Sequence, residues 1–240
     1  LERVYRVGSE QVHALRGINL SISRGTFVAF KGRSGSGKTT LLNLIGGLDQ
    51  PTNGHIYLFG NDLNRLSDAE RTRLRRDRLG FVFQSFALIP TYSAYENVEL
   101  PLRIAGMGAR QRHERVLRCL TIVGLHKWAS HRPFEMSGGQ QQRLSIARAL
   151  AHRPDIIIAD EPTGELDSET GRNILLLGGI DTPDFQDSTS RLSKCFPAGN
   201  KIESKTDLSP SGFGIINASI EQSEAYDRRI IEFFRNNLGN

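Results

Sequence analysis

The sequence contains few of the residues that cross-link small secreted domains, and it lacks the apolar runs that cross membranes. It has two cysteines among its 240 residues, and Cys119 and Cys195 lack the spacing of metal ligands or a redox pair. This scarcity argues against a disulfide scaffold and fits a reducing compartment. No apolar run reaches the roughly 18 residues that a membrane-spanning helix needs. If the protein serves a membrane process, another chain must do the spanning.

The overall composition is that of a folded domain with a sizeable core. Hydrophobic residues make up 38% and charged residues 24%, with a formal net charge of +5. Arginines concentrate at residues 71–78 and 110–118, among acidic residues. These clusters could contact anionic lipid headgroups or nucleic acid. We favour the simpler interpretation that they form two solvated helix faces, because mixed charge runs usually do.

A glycine-rich stretch carries the first chemical motif. Residues 32–39 (GRSGSGKT) match the phosphate-binding pattern G-x-x-x-x-G-K-[ST], between a predicted strand at 27–31 and a predicted helix at 38–46. The glycines let backbone N–H groups form an anion nest, and the helix start adds its positive dipole end. Lys38 would reach the β- and γ-phosphates, and the Thr39 hydroxyl would bind Mg²⁺. The residues assigned to nucleotide binding here are Gly32, Ser34, Gly35, Ser36, Gly37, Lys38, Thr39 and Thr40.

An apolar stretch that ends in acids supplies the second motif. Residues 155–160 (DIIIAD) predict a buried strand, and Glu161 follows directly. A strand ending there would place Asp160 beside the phosphate-binding loop, where it can hold Mg²⁺. Glu161 could polarise an attacking water as a general base. The pattern is weak alone and becomes strong beside the loop.

A third motif precedes a predicted helix. In Ser137-Gly138-Gly139-Gln140, the serine and the glutamine form a capping box, so a helix start alone is one sufficient interpretation. Two consecutive glycines argue for more, because they expose backbone N–H groups to an anion.

The rest of the sequence predicts alternating strands and helices as far as about residue 177. Residues 67–78 predict an exposed helix with a serine cap, and residues 80–84 predict a strand ending at Gln84. Further on, Pro90 and Pro101 bracket residues 95–100. Three further helices are predicted at residues 108–123, 140–152 and 168–177.

The end of the chain differs in character. Residues 181–212 are rich in Ser, Asp, Thr, Lys, Gly and Pro and predict a loop or disorder. An amphipathic helix is predicted at 219–238. Its apolar face consists of Tyr226, Ile230, Phe233, Phe234 and Leu238.

The three motifs together resemble those of the ATPase subunits of ABC transporters. MSGGQQQR lies after GRSGSGKTT and before IIIADEPTGELD, and the order and spacing match over residues 1–177. Small GTPases and RecA-like motors lack the serine-glycine-glycine motif. RRDRLGFVFQ, FALIP, ENVELPL and LSIARAL are most similar to the lipoprotein-release and macrolide-export branch.

The resemblance implies an α/β fold: a P-loop core with a RecA-like parallel sheet, an antiparallel N-terminal β part and an inserted helical subdomain. The expected units are a first part of the ATP-binding core, the helical subdomain, a second part of the core and an atypical tail. Their ranges are 1–86, 87–150, 151–178 and 179–240.

The resemblance also implies further site residues. Gln84 would touch Mg²⁺ and water, and Asp167 would shape a dimer contact. Tyr5 would stack on adenine, although a half-buried strand tyrosine is the alternative. Ser137, Gly138 and Gly139 would grip the γ-phosphate of ATP bound to the opposite subunit, and Gln140 is assigned to nucleotide binding beside them. The implied catalytic residues are Glu161, Gln84 and Lys38, and the implied metal ligands are Thr39, Gln84 and Asp160.

The function implied by this resemblance is ATP hydrolysis with Mg²⁺ by a homodimer that drives a separate membrane permease. The chain would lie in the cytoplasm, peripheral on the inner face of the cell membrane. A dimerising regulatory module with little turnover is the alternative. Action on nucleic acid or ribosomes is a third interpretation. The single ATPase unit and the segments similar to the export branch argue against it.

The tail departs from the family pattern. The family carries a histidine 25 to 35 residues beyond the position of Asp167, whereas this chain has no histidine after His152. Hydrolysis should therefore be impaired, and the sheet should lack strands unless residues 213–220 substitute. A disrupted reading frame joined near Leu177 is the account we favour, and a genuine divergent tail that docks through its apolar face is the other.

Overall fold

The fold consists of short strands and helices in alternation. The computed structural model describes residues 1–22, 27–161 and 213–218. Within them the strands are β1 (Arg3–Val7), β2 (Glu10–Leu15), β3 (Phe27–Lys31), β4 (Tyr57–Leu58), β5 (Asn61–Asp62), β6 (Leu79–Val82), β7 (Ile156–Asp160) and β8 (Phe213–Ala218). The α-helices are α1 (Lys38–Ile45), α2 (Asp68–Arg78), α3 (Ala94–Ile104), α4 (Ala109–Ile122) and α5 (Gly138–Leu150). Single 3-10 turns lie at Leu63–Arg65, His126–Trp128 and Pro133–Glu135.

The central sheet joins the strands that carry the motifs. Among the described residues its order is β3-β8-β7-β6, and β6 and β7 run parallel. Strand β8 lies between β3 and β7 and is antiparallel to both, with Ile216 opposite Val28 and Ile158. The segment that the sequence offered as a substitute strand is thus a strand at the centre of this sheet. It sets the lateral spacing between the two motif-bearing strands.

In the part of the chain that the structure describes, two smaller antiparallel pairs accompany the central sheet. Strands β1 and β2 form a hairpin, and β4 pairs with β5. The expected antiparallel N-terminal part and the mixed α/β architecture are therefore confirmed. No helix within the described ranges is long and apolar enough to cross a membrane.

Within the described ranges the hydrophobic core has two clusters, and each positions one part of the candidate site. One cluster lies among α3, α4 and α5, where Val98, Leu120 and Leu144 are fully buried. The other packs α1 on the sheet through Leu41 and Leu44. Burying one such side chain contributes about 1.5 to 3 kcal/mol, so the helices of both clusters are held firmly in place.

Helix α3 differs from the sequence prediction. Pro101 was expected to bracket residues 95–100, where no helix was predicted, yet it lies inside this helix. An interior proline costs about 3 kcal/mol, because it removes one helical hydrogen bond and crowds the preceding turn. Full burial of Val98 and Leu102 on the same helix offsets that cost. Ser93 and Glu96 form a capping box at the start of α3, a signal that was present in the sequence and that we missed.

Other boundaries shift by one or two residues. The predicted cap at Ser67 is confirmed, and helix α2 follows it. Strand β6 ends at Val82, so Gln84 lies two residues beyond the strand rather than at its end. The helices predicted at 168–177 and 219–238 and the loop predicted at 181–212 lie outside the described residues. The division into four units stays a prediction.

A proline in β8 tests whether this strand belongs to the sheet. Ile216→Pro should lower the free energy of unfolding by about 2 to 4 kcal/mol, because proline removes a ladder donor from a strand paired on both sides. Chemical denaturation measures the change. Ile216→Val, which keeps a β-branched side chain, is the matched control. Equal denaturation midpoints for the two variants would contradict the placement of β8.

Candidate functional site

The phosphate-binding loop (residues 32–39) has a backbone that strongly favours glycine at two positions. Gly35 and Gly37 have φ values of +77° and +90°, in the left-handed region. At Gly37 a Cβ would also lie 2.5 Å from the carbonyl oxygen of Ala14 and 2.8 Å from a methyl carbon of Leu15. The glycine in the motif therefore satisfies both a conformational and a steric requirement.

Lys38 is the first residue of α1 and closes the loop on itself. Its side chain is buried, and Nζ donates hydrogen bonds to the carbonyl oxygens of Gly32 at 2.9 Å and Arg33 at 3.1 Å. The ammonium thus lies beside the loop backbone at the positive end of α1. A buried cation next to backbone amides and a helix N-terminus is an arrangement that binds anions such as phosphate.

Thr39 and Asp160 meet at the carboxyl end of β7. The Thr39 hydroxyl donates a hydrogen bond to a carboxylate oxygen of Asp160 at 3.1 Å, across 121 positions of sequence. A hydroxyl and a carboxylate are oxygen donors that suit a hard cation such as Mg²⁺. Within the described ranges no group of three or more His, Cys, Asp or Glu residues could hold a metal. An ion at this pair would therefore need phosphate oxygens and waters as further ligands, which is how Mg²⁺ usually binds.

Two predicted catalytic residues lie near the same edge of the sheet. Glu161 follows Asp160 directly and has a φ of +44°, which is left-handed for a residue with a side chain. Such a conformation costs on the order of 1 to 3 kcal/mol and often marks a functional position. Gln84 follows β6, which is parallel to β7, so both residues leave the sheet at its carboxyl edge.

The serine-glycine-glycine-glutamine motif (residues 137–140) lies at the start of α5. Ser137 is the N-cap and Gln140 closes the capping box, with Ser137 N–H donating to Gln140 Oε1 at 2.8 Å. The predicted helix start is therefore confirmed. Gly138 and Gly139 are the first two residues of the helix. Because α5 packs against α3, α4 and β6, the motif belongs to the helical part of the molecule and not to the phosphate-binding loop.

Tyr5 lies on β1 and is tied to two charged neighbours. Its hydroxyl donates to a carboxylate oxygen of Asp49 at 2.7 Å. The guanidinium of Arg3 lies over the Tyr5 ring, 4.4 Å from its centroid, and forms an ion pair with the same Asp49. One ring face is thus covered by a cation, and stacking on adenine stays a prediction for the other face. Asp167 lies outside the described residues.

Arg148, in the last turn of α5, contacts the loop that follows Gln84, and sequence reasoning missed it. Its guanidinium donates hydrogen bonds to the carbonyl oxygens of Phe86, at 3.0 Å, and of Ala87. Burial lowers the pKa of Arg148 from its ordinary value, since the protein removes water from the charged form. No local sequence pattern marks this contact, because the partner carbonyls lie about 60 positions away.

The glycine loop, the buried lysine and the threonine–aspartate pair define a P-loop nucleotide-binding protein of the α/β class. A protein-family model described as "ABC transporter" matches residues 15–164. The chain belongs to the ABC transporter family, as one of its ATPase subunits.

Relatives of this chain include cassettes and longer transport proteins. An uncharacterized ABC transporter ATP-binding protein of Methanocaldococcus jannaschii, MJ0796, is 52% identical over 179 residues, which cover 73% of this chain and 76% of the relative. A macrolide export ATP-binding/permease protein, MacB, of Marinobacter nauticus is 50% identical over 177 residues, which are 74% of this chain and 28% of the relative. A solved dimeric structure of MJ0796, in a post-hydrolysis state with ADP and Pi, matches with a TM-score of 0.68 at 49% identity. That match covers 73% of this chain and 78% of the solved one.

Substituting Gly37 tests the geometry of the loop. Gly37→Ala should lower the free energy of unfolding by about 2 to 5 kcal/mol, since it adds backbone strain and a clash with the Ala14 carbonyl. It should also weaken ATP binding, measured by titration calorimetry, because the nest must open. Gly108→Ala is the control, because a Cβ there meets no atom within 4 Å. If Gly37→Ala behaved like that control, the loop geometry described here would be wrong.

Proposed function

We propose that this chain binds and hydrolyses Mg²⁺-ATP as one half of a dimer and thereby drives a separate membrane permease. The observation that carries the proposal is the meeting of a lysine-bearing phosphate loop with Asp160 through Thr39. The mechanism is closure of two subunits around two ATP molecules, in-line attack by water and reopening. Catalysis of this kind depends mostly on positioning and charge stabilisation.

Within one subunit, each group takes a role that fits its place. Lys38 binds the β- and γ-phosphates from the start of α1. Thr39, Asp160 and Gln84 hold Mg²⁺ together with phosphate oxygens and water. Glu161 is the general base for the attacking water, and its place one residue after Asp160 supports this assignment.

Between subunits, the serine-glycine-glycine-glutamine motif completes the site. It lies at the N-terminus of α5, a helix that packs on α3, α4 and β6, and its backbone N–H groups would contact the γ-phosphate in a second copy. Asp167 shapes the same contact. The dimeric structure of MJ0796 with ADP and Pi supports this arrangement by analogy. We propose a homodimer.

The permease is expected on another chain. MacB of Marinobacter nauticus is named as an ATP-binding/permease protein, and this chain spans only 28% of its length. That relation supports coupling to an export or lipoprotein-release permease, with this chain on the inner face of the membrane. We expect no nucleic-acid partner.

We also propose that hydrolysis is slow, because the chain has no histidine after His152. The family's histidine contact to the γ-phosphate would then be absent. The same feature favours a second candidate function, an ATP-dependent clamp that dimerises and regulates a partner with little turnover. ATP binding survives in both proposals.

Steady-state ATP turnover of the purified chain with Mg²⁺ distinguishes the two. If the chain is an ATPase, Lys38→Ala and Glu161→Gln should each lower kcat by about 100-fold or more, since a phosphate-binding charge or a general base is lost. Arg110→Lys, on an exposed side chain, is the control. Saturable ATP binding without turnover would instead support the clamp, and absence of both would contradict both candidates.

A further inference from the structure

The loop from Phe83 to Ser93, which we call the glutamine loop, contains a strained turn directly after Gln84. Phe86 and Ala87 both have left-handed backbones, with φ values of +60° and +49°. Neither is a glycine, so each conformation is unfavourable by itself. The local hydrogen bonds are from Phe86 N to Phe83 O at 3.1 Å and from Ala87 N to Ser85 O at 2.6 Å. A turn of this kind persists only when neighbouring structure fixes it.

Arg148 of α5 fixes that turn. Its two terminal nitrogens donate to the carbonyl oxygens of Phe86 and Ala87, the two residues with left-handed backbones. In the described part of the chain, no carboxylate forms an ion pair with Arg148. Each terminal nitrogen of the guanidinium donates to one of these two carbonyls, so the planar fork fixes the separation of the two acceptors.

The far end of the glutamine loop is fixed by α3. Asn97 is fully buried, and its side-chain oxygen accepts from Ile89 N at 2.8 Å while its amide donates to Ile89 O at 3.2 Å. The same amide donates to Tyr92 O and Ser93 O. The loop thus leaves the sheet after β6 but is attached to two helices of the helical part.

We propose that Arg148 is a positioning residue: by holding the turn at Phe86 and Ala87, it couples the position of Gln84 to the position of helix α5. Motion of α5 is transmitted because its 13 residues form one rigid rod of about 20 Å. The rod carries residues 137–140 at one end and Arg148 in its last turn. Engagement of those four residues with a second subunit's ATP would then move the turn after Gln84 through the Arg148 fork. This inference rests on the proposed roles of Gln84 and of residues 137–140.

Arg148→Lys is the first test, because it keeps the charge and loses the fork. We expect kcat for ATP to fall by about 10-fold or more, with KM and the affinity for ATP changed by less than about 2-fold. Arg148→Met has a side chain of similar length and no charge, and it should likewise lower kcat with little change in KM. This variant controls for misfolding that an unsatisfied buried ammonium could cause in Arg148→Lys. Arg110→Lys, in the exposed ion pair with Glu114, should change nothing. A parallel loss of thermal stability and ATP affinity without a specific loss of kcat would mean a merely structural role and would overturn the proposal.

A double-variant cycle with Gln84→Ala identifies the group through which Arg148 acts. If Arg148 acts through Gln84, the double variant should have the kcat of Gln84→Ala alone, within about 2-fold. If the fold-losses in kcat of the two single variants multiplied in the double variant, the inference would be overturned while the proposed function stayed intact. A Gln84→Ala variant with full turnover would remove the assigned role of Gln84, and the inference would fall with it.

The same cycle can be measured without turnover if hydrolysis is slow. In a Glu161→Gln background, the ATP concentration for half-maximal dimerisation is measured by light scattering. Arg148→Lys and Gln84→Ala should each raise this ATP concentration. The double variant should raise it no further than Gln84→Ala does alone. Independent, multiplied shifts would again overturn the inference. A background protein that never dimerises with ATP would contradict the proposed function and, with it, this inference.

Discussion

The hydrogen bond between the Thr39 hydroxyl and the Asp160 carboxylate joins the start of α1 to the end of β7. Its formation requires the order of the central sheet, because β8 separates the strand before the phosphate loop from the strand that ends at Asp160. It also requires α1 to be packed on the sheet, which Leu41 and Leu44 provide by full burial. The loop glycines, the buried Lys38 and the proposed Mg²⁺ ligands all depend on this junction.

The local motifs could be predicted from sequence because each is encoded within a few residues. The phosphate loop, the acid-ended strand, the serine cap at Ser67 and the capping box at Ser137 are short patterns with a direct physical cause, and the structure contains them. Helix α3 could not be predicted by the same means, because Pro101 is a strong local signal against a helix. Its buried face, which overrides that signal, depends on α4 and α5.

Long-range contacts set the other limit of prediction. Arg148 has the sequence context of an ordinary helical arginine, and its role depends on two carbonyls about 60 positions away. The place of β8 is similar: an apolar stretch near residue 216 predicted a possible strand, but not its antiparallel pairing with both motif-bearing strands. The catalytic and metal-binding roles of individual residues stay predictions, since they concern a bound nucleotide.

Calorimetric titration of ATP, with and without Mg²⁺, tests the central claim most directly. The account predicts one ATP bound per chain, with an affinity that Mg²⁺ increases in the unsubstituted protein but hardly changes in Asp160→Asn. That pattern would follow from a Mg²⁺ ion held between the nucleotide and the Thr39–Asp160 pair. Equal Mg²⁺ dependence in the two proteins would contradict a metal site at this junction. Absence of saturable ATP binding would contradict the account as a whole.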